Sequence, residues 1–164
     1  RGTGQIADIA LHDLSYNGCK VATSVYLFQG EAIRLSVPRR GVIAAEVRWC
    51  ADGFAGLVFE PESEPVRPRK LRAETRFDAK GEVLLRRLGF PGFRVDVHDI
   101  SRIGCRIDLV ERPLEGELVS IKFDGLETLE ARIAWVEGFT AGARFDRPIH
   151  PAVFDLLKQR LGAA

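Results

Sequence analysis

Apolar and polar residues alternate one by one through much of the chain. Ile33, Leu35 and Val37 alternate with polar or small neighbours, as do Val119, Ile121 and Phe123, and then Ile133 and Trp135. A period of two puts alternate side chains on one face, the mark of a half-buried strand. Gly and Pro interrupt at short intervals, so the strands are short and joined by tight turns. One stretch differs. From Pro148 to Leu161, Ile149, Val153, Leu156, Leu157 and Leu161 recur at three- and four-residue spacing, while Asp155, Lys158 and Arg160 fall elsewhere. That spacing predicts an amphipathic helix over 148–161, expected to cover an open side of the unit before it. The fold class is therefore all-β with a C-terminal α-helix, built as small antiparallel barrels or sandwiches.

The chain repeats itself. Shifted by 86 residues, His12 falls on His98, Asp13 on Asp99, Ser15 on Ser101, Gly18 on Gly104 and Cys19 on Cys105. The register continues without a gap through Gly30 and Glu31, Ala45, Trp49, Ala55, Gly56 and Phe59, giving 12 identities over the 48 positions from 12 to 59. Conservative pairs lie between them: Leu14 with Ile100, Lys20 with Arg106, Leu35 with Ile121 and Val47 with Ile133. So long a period present only twice means tandem units rather than a solenoid. Between the copies, residues 60–69 read EPESEPVRPR, three prolines among charges, which cannot pack a core. The expected organisation is a first unit over 1–62, a Pro/Arg-rich linker over 63–71 and a second unit over 72–164. A strand at Glu82–Arg86 has no counterpart in the first copy, which is therefore incomplete as numbered.

Composition adds limits. At 164 residues, 46% hydrophobic and 29% charged, the chain is an ordinary folded domain or two small ones. No apolar run approaches the ~20 residues of a membrane span. Cys19, Cys50 and Cys105 are an odd number at wide spacing without CxxC pairs, which fits a reducing, cytoplasmic location and no metal site. With no methionine and Arg1 first, the sequence reads as a piece of a longer product. Net charge is only +1, yet residues 67–112 hold 12 Lys and Arg against 7 Asp and Glu. A local excess of that size points to one anionic partner rather than to a DNA duplex, which needs a broader basic face.

The repeated hexapeptides Asp13-Leu-Ser15-Tyr-Asn-Gly18 and Asp99-Ile-Ser101-Arg-Ile-Gly104 share the pattern D-x-S-x-x-G at a strand end. Asp and Ser side chains can cap a turn and Gly can supply a positive φ, so the motif has a purely structural use. The second copy is preceded by Arg72 and Arg76, two guanidinium groups four residues apart, 23 residues before Asp99 at the nearer one. The first copy has no such pair ahead of it.

The combination of R-x-x-x-R, a strand and then D-x-S-x-x-G, followed by A-R-I-A-W-V at 131–136 and A-G-A-R-F at 141–145, resembles the PilZ domain family. The resemblance covers residues 70–161 and, more weakly, 6–60. It implies two tandem six-stranded antiparallel barrels, the first incomplete, the second closed by a C-terminal helix. It also implies a receptor for cyclic di-GMP, with Arg72, Arg76, Asp99, Ser101 and Gly104 as ligand-binding residues. Asp13, Ser15 and Gly18 form a degenerate site. Ordering of the arginine segment would then reorient the two barrels and pass the signal to a downstream protein in motility, adhesion or polysaccharide control; a homodimer is left open. The alternative is a PilZ-like protein-interaction module that binds no nucleotide.

Other residues read as structural. His12 and His98 belong to strands, Cys19 and Cys105 fill core, and Trp49 and Trp135 are expected in the core on inward-facing strands. Adjacent Arg86 and Arg87 face opposite sides, and Phe90-Pro91-Gly92 marks a hairpin turn. No Ser–His–Asp constellation, H-E-x-x-H, P-loop or G-x-G-x-x-G is present, so no enzyme is expected.

Overall fold

A computed structural model describes residues 4–62 and 76–161. Arg72 and the expected linker at 63–71 lie outside the described residues. The first five strands are β1 (Ala10–Leu14), β2 (Gly18–Ala22), β3 (Ala32–Val37), β4 (Gly41–Ala51) and β5 (Phe54–Phe59), in one antiparallel sheet ordered β1-β2-β5-β4-β3. Seven more follow: β6 (Phe77–Asp78), β7 (Glu82–Arg87), β8 (Gly92–Ile100), β9 (Gly104–Asp108), β10 (Leu118–Lys122), β11 (Leu129–Glu137) and β12 (Thr140–Phe145). They run β6-β8-β7-β10-β11-β12-β9, and β9 pairs back onto β8. That last pairing closes β7 to β12 into a six-stranded antiparallel barrel. The first sheet stays open, because no described strand lies between β1 and β3.

The ladders of the two sheets share one register at the offset of 86. Ala45 faces Phe59 as Ala131 faces Phe145, and Gly18 faces Val58 as Gly104 faces Arg144. The irregularities repeat as well: a bulge between Val47 and Trp49 matches one between Ile133 and Trp135. These bulges correct the expectation for the tryptophans. Val47 and Ile133 point into the core, and strict alternation would send Trp49 and Trp135 after them. The extra residue flips the alternation, so each indole lies on the outer surface. Trp49 is 43% exposed and Trp135 half-buried. Each ring covers a glycine of the neighbouring strand: a Cβ on Gly56 or Gly142 would stand 2.1 Å from the indole Nε1.

Helix α1 (Pro151–Leu161) begins three residues later than predicted. His150 sets its start, its ring Nδ1 accepting from Ala152 N at 3.0 Å, and proline at the first position has no N–H to leave unpaired. Rather than covering the barrel alone, the helix lies at the seam between the sheets. Arg40 pairs with Asp155 at 3.0 Å and Gln159 donates to the carbonyl of Pro38 at 3.3 Å, both on the first sheet; Arg160 donates to the carbonyl of Gly125 at 3.3 Å, on the barrel side.

The rest of the seam is made by the first D-x-S-x-x-G turn. Leu14 N donates to Gly125 O at 2.8 Å and Glu127 N donates to Leu14 O at 2.7 Å. Tyr16 N donates to the Glu127 carboxylate at 2.8 Å, His150 N donates to Tyr16 O at 2.8 Å, and the Tyr16 hydroxyl accepts from Glu130 N at 3.2 Å. Buried residues of both sheets and the helix, from Leu14, Val47 and Phe59 to Phe123, Ile149 and Leu157, form one continuous hydrophobic cluster.

Candidate functional site

The hairpin β8–β9 places the second motif. Its turn is tied by Ser101 N donating to Gly104 O at 2.8 Å, and the Ser101 hydroxyl accepts from Ile103 N at 3.2 Å, so serine fixes the bend that it borders. Asp99 and Ser101 are the two buried polar or charged side chains among the described residues. Asp99 is held between two guanidinium groups, Arg106 Nε at 3.0 Å on Oδ2 and Arg76 Nη1 at 3.4 Å on Oδ1. A buried carboxylate held by two cations is satisfied and oriented, and it in turn fixes where those cations stand. The Arg76 side chain remains 64% exposed, so most of its donors face solvent.

Gly104 corrects a reading of the motif. Neither Gly18 nor Gly104 has a positive φ. A Cβ on Gly104 would stand 2.3 Å from the carbonyl oxygen of Ala143, and one on Gly18 would stand 2.0 Å from that of Leu57. The glycine is required by close approach of the neighbouring strand.

Arg76, Asp99, Ser101 and Gly104 line one cleft of about 260 Å3, together with Ile103, Cys105, Trp135, Gly142 and Arg144. Four of the five expected ligand residues are therefore brought together; Arg72 lies outside the described residues. Trp135 supplies an aromatic surface, and Arg144 is exposed at the cleft with no ion pair among the described residues. Arg102, within the motif, turns elsewhere and donates from Nε to the carbonyl of Ile149 at 2.8 Å. Burial pushes the Cys105 thiol up to about 12, so it remains a neutral wall of the cleft.

A second cleft, of about 270 Å3, lies at the equivalent place on the first sheet, lined by Asp13, Ser15, Cys19, Lys20, Trp49 and Gly56 among others. Its charges differ. Glu127, from the barrel, lines it and accepts from Tyr16 N. Arg48 stands where the barrel has Ala134, and Val58 where it has Arg144. Lys20, the counterpart of Arg106, does not reach Asp13 but lies over the Phe54 ring, 4.5 Å from its centroid. Among the described residues, Asp13 Oδ1 accepts only from Leu14 N, at 3.1 Å. His98, adjacent to Asp99, turns to Asp108 at 2.6 Å.

Sequence reasoning missed Trp135 and Arg144 as cleft residues, and Arg106 as the ion-pair partner of Asp99. Arg106 was legible in principle, since a tight hairpin at 101–104 sets it opposite Asp99 in the ladder. Trp135 needed the bulge. Arg144 needed the β9–β12 pairing that faces it to Gly104, a contact between strands far apart in sequence.

Residues 70–162 match the PilZ domain. No curated protein matches the chain. Among solved structures, the chain is similar to the Klebsiella pneumoniae MrkH complex with c-di-GMP at 16% identity and a TM-score of 0.44, covering 100% of this chain and 87% of that one. It is also similar to the Borreliella burgdorferi PlzA protein in complex with c-di-GMP (12%, 0.41, covering 88% and 77%). A third is the Bacillus subtilis inhibitor of motility MotI/DgrA (14%, 0.43, covering 90% and 83%). With the matched segment covering the whole closed barrel, its helix and the second motif, the chain belongs to the PilZ domain family.

Proposed function

We propose that this chain is a cytoplasmic receptor for cyclic di-GMP that binds at the barrel cleft and has no catalytic role. The observation that carries this reading is the convergence of Arg76 with Asp99, Ser101 and Gly104 of the β8–β9 hairpin, and with the distant Trp135 and Arg144, on one cleft. Cyclic di-GMP is a macrocycle with two phosphates and two guanines. A receptor for it needs planar cations that fork onto phosphate oxygens or onto guanine O6 and N7, and a flat surface on which a purine stacks. Arg76 and Arg144 meet the first requirement and Trp135 the second, while Asp99 positions Arg76 and Arg106. Arg72, four residues ahead of Arg76, supplies a further guanidinium in this reading.

The ligand signals, in this account, by shifting the barrel against the first sheet at the seam built by Leu14, Tyr16 and α1, toward a downstream protein partner. Reorientation has to part several backbone hydrogen bonds there, so it requires a bound ligand of substantial differential affinity for the two arrangements. The first sheet acts as a degenerate unit whose D-x-S-x-x-G turn docks rather than binds nucleotide. A thermal-shift screen against cyclic di-GMP, cyclic di-AMP and linear pGpG tests the ligand: the diguanylate ring alone raises Tm, and scattering profiles recorded with and without it differ. Equal shifts from all three, or none, would favour the interaction-module reading.

A further inference from the structure

We propose that Arg132 joins Arg144 in a two-pronged clamp for a phosphate group at the edge of the barrel cleft, an inference that rests on reading that cleft as the cyclic di-GMP site. Three ladder registers lay out the surface. Asp99 faces Arg106, Arg106 faces Gly142 and Gly142 faces Trp135, one row across β8, β9, β12 and β11. The next row along the same face reads Gly104, Arg144 and Arg132. The bulge between Ile133 and Trp135 keeps Arg132 and Trp135 on one outer face. The cleft wall therefore continues past Arg144 onto Arg132.

Arg132 and Arg144 are direct cross-strand partners, and both are exposed. Two cations facing each other in a ladder repel. The carboxylates nearest along the same strands belong to Glu130 and Asp146, and neither forms an ion pair with the arginines among the described residues. Arg132 Nη1 donates to the carbonyl of Gly116 at 3.2 Å, which steadies its head and leaves its other donors to solvent.

The ladder itself has no need of this pair. At the offset of 86, the same position in the first sheet is Glu46 facing Val58, and Glu46 is paired with Arg48 at 3.4 Å. The repelling arginines stand in the barrel, beside the cleft that holds Arg76, and not at the equivalent place of the first sheet. A phosphate between two guanidinium groups turns their repulsion into charge-assisted forks, and the planar fork matches phosphate geometry. The surface then carries cations at two places, Arg76 held on Asp99 at the β8 side and the pair Arg132–Arg144 on β11 and β12. A ligand with two phosphates, as cyclic di-GMP has, engages both.

The test titrates cyclic di-GMP by calorimetry into the full chain and its R132A, R132K and R86A variants. R132A weakens binding about fivefold, the scale of one exposed charge contact. R132K, which keeps the charge, recovers most of that loss, and R86A, an exposed cation on β7, leaves affinity unchanged. Because one phosphate is shared, the loss in R132A combined with R144A is smaller than the product of the single losses. If the parent binds while R132A behaves like R86A, or the losses multiply, the clamp is overturned and the cleft reading stands. Inorganic pyrophosphate, followed by the arginine Nε signals in NMR spectra, tests the clamp apart from that reading. The signals of Arg132 and Arg144 shift together with one midpoint, and R144A abolishes the Arg132 shift. That result without cyclic di-GMP binding would dismiss the nucleotide and support the clamp; no shift of Arg132 with either probe would overturn it.

Discussion

Glu127 occupies in the first cleft the place that Arg76 occupies in the second. Each comes from the segment beside the last residue of the motif's strand, Leu14 in one case and Ile100 in the other, and each lines the cleft next to it. One cleft therefore receives a carboxylate from across the seam and the other a guanidinium. Two clefts of nearly equal size thus differ in the charge at their mouths, and an anionic ligand distinguishes them by that charge.

The proposed binding mode calls for a single functional cleft. Asp13→Ala leaves the affinity for cyclic di-GMP within about twofold of the parent chain, because Asp13 orients no arginine among the described residues. Fluorescence titration of the intrinsic tryptophans checks this, and a loss of tenfold or more would mean that the first cleft also binds.

The glycines of the two motifs are constrained by packing. Gly104→Ala forces a Cβ against the carbonyl of Ala143, and Gly18→Ala does the same against Leu57. Each is expected to destabilise the fold by about 1–3 kcal/mol, as overpacking does. Urea unfolding measures it, and the Gly18 variant should suffer as much as the Gly104 variant although only the barrel cleft is proposed to bind ligand.

Burial raises both Cys19 and Cys105 to about 12, leaving almost no thiolate at neutral pH, while Cys50 is only partly buried. A thiol reagent at pH 8 should modify one cysteine per native chain, Cys50, and all three in denaturant. Rapid reaction of two or more in the native chain would contradict the packing described.

The Arg87–Glu117 pair ties β7 to the loop before β10, with Arg87 Nε donating to Glu117 at 2.6 Å. That hydrogen bond holds the Glu117 carboxyl below its ordinary value. A depressed carboxyl contributes stability at pH above its unfolded value of about 4.3, and the contribution fades as pH falls through the lower native value. Glu117→Gln should lower Tm at pH 7 slightly and flatten the loss of Tm between about pH 5 and pH 3. Parallel Tm-versus-pH curves for the two proteins would show that the pair adds nothing.

Much of this architecture was legible in the chain. Period-two alternation at Ile33–Val37 and Val119–Phe123 marked the strands, the 86-residue offset foretold the shared ladder registers, and the spacing from Ile149 to Leu161 found the helix. Asp99, Ser101 and Gly104 could be named because one hairpin carries them. The tryptophans were misplaced because a one-residue bulge inverts alternation without any mark in local composition. The seam was hidden for another reason: Tyr16 and Glu130 lie 114 residues apart, and no local pattern encodes so distant a hydrogen bond. The first copy keeps its motif letters Asp13, Ser15 and Gly18, while the long-range contacts of its turn are made by Leu14 and Tyr16 between them, which the motif pattern does not mark.

The most direct test of the central claim is calorimetric titration of cyclic di-GMP into the full chain and into Arg76→Ala and Asp99→Ala variants. Each lost charged hydrogen bond is worth roughly 1.5–3 kcal/mol, so the account predicts tight binding to the parent chain and a weakening of about 10- to 150-fold in each variant. Unchanged affinity in the Arg76 and Asp99 variants, with all proteins folded, would contradict it.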